Sequence, residues 1–119
     1  MNLFLPRDYS AVRKRVDEAF SLRRLSARII GEIESIATLT AAVSSGMGAT
    51  VLPESAARAL VSSTNAWMAR ITSPTLNLPL SLNVSSTLPM SPSAQAVKNI
   101  LLSLLNNPVS EDRELMLVS

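Results

Sequence analysis

The side chains that usually carry out protein chemistry are scarce in this chain. Its 119 residues contain no His and no Cys, which removes the commonest general base, the commonest zinc ligand and every thiolate. No hydroxyl has a visible base to activate it, so catalysis, a metal site and a cofactor are all outside expectation. What remains is recognition chemistry at two short stretches, residues 6–10 (PRDYS) and 34–38 (ESIAT), where the chain passes from an apolar run into a helical pattern. The first amides of a helix have no intrahelical acceptor, and the helix dipole adds partial positive charge beside them. A carboxylate or other small anion suits Ser35, Thr38 and those amides. The simpler role for Ser35 is to cap its helix, and for Arg7 to be exposed or ion-paired. Glu34, next to the cap, opposes an anion and leaves a polar neutral ligand or none.

Other groupings carry less. Gly46-Met47-Gly48 follows a helical pattern and precedes a strand, the reverse of a dinucleotide loop, and a third Gly is lacking. Asn83-Val84-Ser85 matches the glycosylation pattern, but no secretion signal is expected, so the match is expected to be chance. Glu32 and Glu34 lie two apart on one face of a strand and are expected to be solvated or salt-bridged. Trp67 is expected to be packing.

The elements that position these residues follow from periodicity. Residues 28–34 alternate β-branched and polar types, Ser35 is a good N-cap, and Ile36, Leu39 and Val43 line a helix over 36–44. Gly46 suits the left-handed position that ends it, and residues 49–52 are short and branched enough for a strand. Two strands joined by one helix imply a parallel crossover. Ahead of this unit, residues 2–5 read as a first strand ended by Pro6. A helix capped by Asp8 or Ser10 then runs to about Arg24, with Val12, Val16, Ala19, Phe20 and Leu22 on one face. Behind it come a brief helix over 55–60 capped by Ser55, a strand over 67–72, and an alternating strand over 78–84. Ser91-Pro92 starts a helix over 94–105 that is apolar on more than one side, and the tail from residue 109 looks loosely held.

Composition bounds the whole. One domain of this size buries roughly two thirds of its unfolded surface. Charged residues make up only 17% against about 25% in ordinary domains, so part of the surface is expected to be covered by another chain or domain. Residues 7–28 hold seven basic side chains against three acids, a net of +4, and the remainder sums to −2. Arg13 with Asp17 and Lys14 with Glu18 fit i, i+4 pairs, so a solvated helix face is favoured over a nucleic-acid surface. Residues 35–53 are uncharged, but their Ser, Thr and Gly content argues for a buried crossover rather than a membrane span. A soluble cytoplasmic protein with no membrane association is expected.

Three stretches carry a family resemblance: VDEAF at 16–20, IGEIESIATLTAAVSSGMGATVLPESAA at 30–57 and LSLNVSSTLPMSPSAQAVKNILLSL at 80–104. Together they resemble the C-terminal effector domain of LysR-type transcriptional regulators, the middle stretch most specifically. Its cap, helix, small-Gly-x-Gly, strand and Leu-Pro-x-Ser follow the family order. The resemblance implies an α/β fold, the second lobe of a type II periplasmic-binding-protein-like effector domain, with a mainly parallel sheet flanked by helices. Residues 1–75 would be that lobe, and 76–119 a return strand, helix and tail crossing to a first lobe that is absent. It also implies a ligand cleft at the carboxyl ends of the strands, with Arg7, Tyr9, Ser10, Ser35, Ile36 and Thr38 as its ligand-binding residues.

On this reading the chain senses a small polar or anionic effector and forms homo-oligomers through residues 9–22 and 28–34. DNA would be met only through an N-terminal reader domain that these residues do not contain. The exposed apolar helix over 94–105 is expected to pack on a second copy, to swap, or to be disordered. The same architecture also serves periplasmic-type solute-binding proteins, which remains the alternative.

Overall fold

The computed structural model describes residues 1–72, 75–78, 85–105 and 114–119. They fall into two compact units, Met1–Leu78 with Asp112–Ser119, and Pro79–Glu111. The first unit contains β1 (Asn2–Leu5), α1 (Ala11–Leu22), β2 (Arg28–Glu32), α2 (Ile36–Ser44), β3 (Thr50–Pro53), α3 (Glu54–Ser62) and β4 (Met68–Arg70). The second contributes α4 (Pro92–Leu105), after which β5 (Leu115–Val118) belongs again to the first.

β1 pairs with β2 in parallel, and the register slips by one residue between Leu3 and Phe4. On its other side β1 meets β3 through a parallel bridge from Leu3 to Ala49. Ala49 there donates to the Asn2 carbonyl at 2.9 Å and accepts from the Phe4 amide at 2.8 Å. β5 lies between β3 and β4 and runs antiparallel to both. The strand sequence is therefore β2, β1, β3, β5, β4, with β5 alone reversed among the described strands.

Period-two alternation sorts side chains to the two faces. Phe4, Leu52, Met116 and Val118 join Leu39, Ala42 and Val43 of α2 and Ala57 and Leu60 of α3 in one core. Leu3, Leu5, Val51 and Leu115 join Val16 of α1 in the other. α1 thus covers one face of the sheet, and α2 with α3 the other. Leu5, Leu115 and Val16 are sealed from solvent, and each such side chain contributes about 1.5–3 kcal/mol relative to exposure.

Helix ends follow local chemistry. Gly46 has φ +71°; its amide donates to Val43 O at 3.0 Å and that of Met47 to Ala42 O at 3.2 Å, the paired bonds of a Schellman ending. Arg24 occupies the equivalent place after α1 with φ +54°, a conformation a Cβ opposes. α3 begins at Glu54 with Pro53, at φ −56° and ψ 149°, as its cap rather than Ser55.

Several expectations need correction. The tail is not loosely held over Leu115–Val118: this strand sits inside the sheet, with Leu115 and Val118 at 0% exposure. Its apolar LMLV sequence found two unsatisfied strand edges, and the Leu115 amide also donates to Leu76 O at 2.8 Å. β5 makes the sheet mixed, while the other four described strands run in one direction. Trp67 is half exposed and serves mostly through its backbone, which exchanges hydrogen bonds with Ser119 at 2.8 and 3.0 Å. Glu18 pairs with Arg15 at 3.1 Å rather than with Lys14. The strand expected over 78–84 lies, apart from Leu78, outside the described residues.

Gly48 allows the approach of β3 to β1. A Cβ there would stand 2.8 Å from the Asn2 carbonyl oxygen and 3.1 Å from the Phe4 ring, closer than backbone atoms tolerate. Gly48→Ala should therefore lower stability by about 1–3 kcal/mol, read as a lower urea midpoint with unchanged m-value; an unaffected midpoint would show that the two ladders are not held together there.

Candidate functional site

Two strand-to-helix turns meet at one edge of the sheet. β1 and β2 are parallel neighbours with Leu5 opposite Glu32, so their carboxyl ends lie side by side and the starts of α1 and α2 follow. The Ile33 amide donates to Leu5 O at 3.0 Å, extending the pairing just past both strands.

Arg7, Tyr9 and Ser10 come from the first turn; Ser35, Ile36 and Thr38 from the second. The Ser10 amide donates to Arg7 O at 3.0 Å, closing the first turn. Ser10 is the N-cap of α1, with extended backbone (φ −68°, ψ 138°) but no side-chain cap bond. Ser35 caps α2 with similar backbone (φ −76°, ψ 122°), and its Oγ accepts from the Thr38 amide at 3.4 Å. Arg7, Tyr9, Ser35, Ile36 and Thr38 are exposed and Ser10 half-buried. The corner is thus an open ledge in this unit.

What ties the turns together is a contact the sequence did not announce. The Tyr9 hydroxyl donates to Glu34 Oε1, 25 positions away. That hydrogen bond, with some desolvation and the nearby carboxylate charge, holds the Tyr9 phenol above its ordinary value. Arg13 braces the same edge from below. Its guanidinium donates to Asp17 at 3.0 Å, to the Pro6 carbonyl at 3.1 Å and to Glu32 at 3.3 Å. Burial works against its charge, but Asp17 and Glu32 outweigh that and raise its pKa. The i, i+4 spacing pointed to Asp17; Glu32 and Pro6 are reached only through tertiary packing.

The chemistry available is hydrogen bonding. The corner offers the first amides of α1 and α2, the Ser35, Thr38 and Ser10 hydroxyls, the Arg7 cation and the Glu34 carboxylate already engaged by Tyr9. Among the described residues no group of three or more acids could hold a metal ion. No helix among them is long and apolar enough to cross a membrane.

Two outcomes are expected. Ser35→Ala should cost about 0.5–1 kcal/mol in thermal or urea unfolding through loss of the cap, the low end being appropriate to a long, exposed bond; no change would remove the capping role. Tyr9 is the chain's single tyrosine, so near-ultraviolet absorbance reads its titration alone. Its folded pKa is raised, so the stabilisation from the Tyr9–Glu34 bond is complete below the unfolded tyrosine value and is lost as pH rises through the folded one. Glu34→Gln should shift the titration to lower pH, and an unmoved curve would mean the two side chains are apart in solution.

A family model described as the LysR substrate binding domain matches residues 1–106. The chain is 71% identical over 119 residues to the nitrogen assimilation regulatory protein nac of Klebsiella aerogenes. It is 65% identical, over the same length, to the protein of that name from Escherichia coli strain K12. All of this chain is covered in both comparisons, and it spans 39% of the length of each relative. No solved structure matches it at a significant level. With a matching model over most of its length and an α/β architecture, the chain belongs to the LysR substrate-binding-domain family.

Proposed function

We propose that this chain is the second lobe of a two-lobe effector-sensing module in a LysR-type transcriptional regulator of nitrogen assimilation, and that it regulates rather than catalyses. The single observation that carries the lobe reading is the path of the chain. It leaves the first unit after Leu78 and comes back at Asp112 to lay β5 between β3 and β4. Such a departure and return are what a periplasmic-binding-protein-like domain with two lobes requires. The lobe is then residues 1–75 completed by β5, and the part that crosses out lies between Leu78 and β5. The high identity to two nitrogen assimilation regulatory proteins favours the regulator over a solute-binding protein.

The effector corner is the ledge of Arg7, Tyr9, Ser10, Ser35, Ile36 and Thr38, which faces a wall supplied by the other lobe. Its amide donors suit a small polar or anionic molecule, and the engaged Glu34 biases the choice toward a polar neutral one. DNA is read by a separate domain of the whole regulator.

Homo-oligomers form through α1 and β2. β2 is the outer strand of its ladder and presents Ile30 at 41% exposure, while Tyr9 and Leu22 beside α1 are also exposed. α4 adds Val97, Ile100 and Leu101 at the surface, an apolar face for the other lobe or, in the isolated chain, for a second copy.

Amide NMR of the 119-residue chain tests the corner. Titration with small carboxamides and carboxylates should move the amides of residues 7–10 and 36–38 together, and light scattering of the same sample should report a dimer or larger. Shifts only elsewhere, or an inert corner in a clean monomer, would sink the reading.

A further inference from the structure

A hollow of about 310 Å³ lies on the α1 face of the first unit, away from the effector corner. Leu3, Val16, Val51 and Leu76, all buried, form its floor, with Phe20 and Leu117 half-buried around it. It sits toward the amino ends of β1 and β2, where Met1, Ser26 and Arg28 border it and are exposed. The corner residues follow the carboxyl ends of those same strands, so the two places share no residue.

A protein interior is normally packed without such gaps. This volume is at the small end of the roughly 300–1,000 Å³ of ordinary ligand sites, which pair an apolar lining with a few convergent polar groups. The polar groups here are of one kind. The Ser26 hydroxyl can donate, and Arg28 brings a guanidinium for which no acid stands at ion-pair distance among the described residues. Among the described residues, the side chains bordering the hollow other than Ser26 and Arg28 are apolar, and no carboxylate lines it.

We infer that this hollow is a second ligand site, and that it takes a small amphiphilic monoanion: an apolar group of about one aromatic ring carrying one carboxylate. The ring rests on Leu3, Val16, Val51 and Leu117. The carboxylate reaches the Arg28 guanidinium, whose fork matches two carboxylate oxygens, and accepts from Ser26. A neutral ligand of the same shape leaves Arg28 without its partner.

The test uses the whole chain with methyl NMR and two probes of similar size, 3-phenylpropionate and 3-phenylpropanol. The propionate should move the methyls of Leu3, Val16, Val51 and Leu117 saturably. The alcohol should bind about tenfold more weakly, as expected for loss of one charged hydrogen-bonding pair. Arg28→Gln, at an exposed position, should bring propionate down to the level of the alcohol without changing the melting temperature. Ala19→Leu, which narrows the hollow, should weaken both probes. Equal affinity for the two probes would overturn the anion assignment. Silent methyls would overturn the site, as would propionate shifts confined to the amides of residues 7–10 and 36–38, which belong to the effector corner.

Discussion

The first unit depends on the seam between β1 and Ala49. Two hydrogen bonds, at 2.8 and 2.9 Å, join the parallel ladder to the mixed one, and Gly48 keeps the approach clear of a side chain. Because strand side chains alternate faces, a slip of one residue at this seam would turn Leu3 and Leu5 away from α1 and send Phe4 into the wrong core. The β1–β2 pairing aligns the two turns at one edge, and the β1–β3 seam fixes that edge to the rest of the sheet. The corner therefore inherits its geometry from backbone pairing rather than from contacts among its own side chains.

β5 completes what the seam begins. β3 and β4 do not pair with each other, and each would present an open edge to water without the strand between them. Leu115 and Leu117 supply one core while Met116 and Val118 supply the other, so a four-residue strand serves both layers. Closing this sheet requires pairing residues more than sixty positions apart, and the entropy of that closure is offset only once the side chains are buried. The seam and β5 thus stabilise different things: the first sets register, the second removes exposed edge and fills both cores.

Much of this was legible locally. The helix over 36–44 declared itself through Ser35, its apolar spacing and Gly46, and the structure returns those bounds with the cap bond and the left-handed glycine in place. The crossover was legible because short connections leave parallel strands few alternatives. β5 was not, since LMLV next to polar residues near the end of a chain carries no sign of which edge it will join. The contacts that organise the corner were hidden for the same reason. Tyr9 with Glu34 and Arg13 with Glu32 are separated by 25 and 19 positions, whereas only Arg13 with Asp17 falls within one helical turn. Where sequence spacing did mislead, the geometry was local but the choice was fine: Glu18 took Arg15 at i, i+3 instead of Lys14 at i, i+4.

The same distinction separates the two places where a small molecule fits. At the corner the donors are backbone amides and hydroxyls on an exposed ledge, so the described residues can orient a ligand without excluding water from it. Hydrogen bonds of that kind contribute modestly while solvent competes for them, and a facing wall is what would make them selective. The hollow under α1 has the opposite balance. Its buried floor already excludes water, its lining is mostly apolar, and the Arg28 guanidinium, with no acid at ion-pair distance among the described residues, sets the sign of charge it accepts. One surface of this fold is thus rich in direction and poor in burial, and the other rich in burial with two directional groups, Arg28 and Ser26. β1 and β2 are the elements common to both.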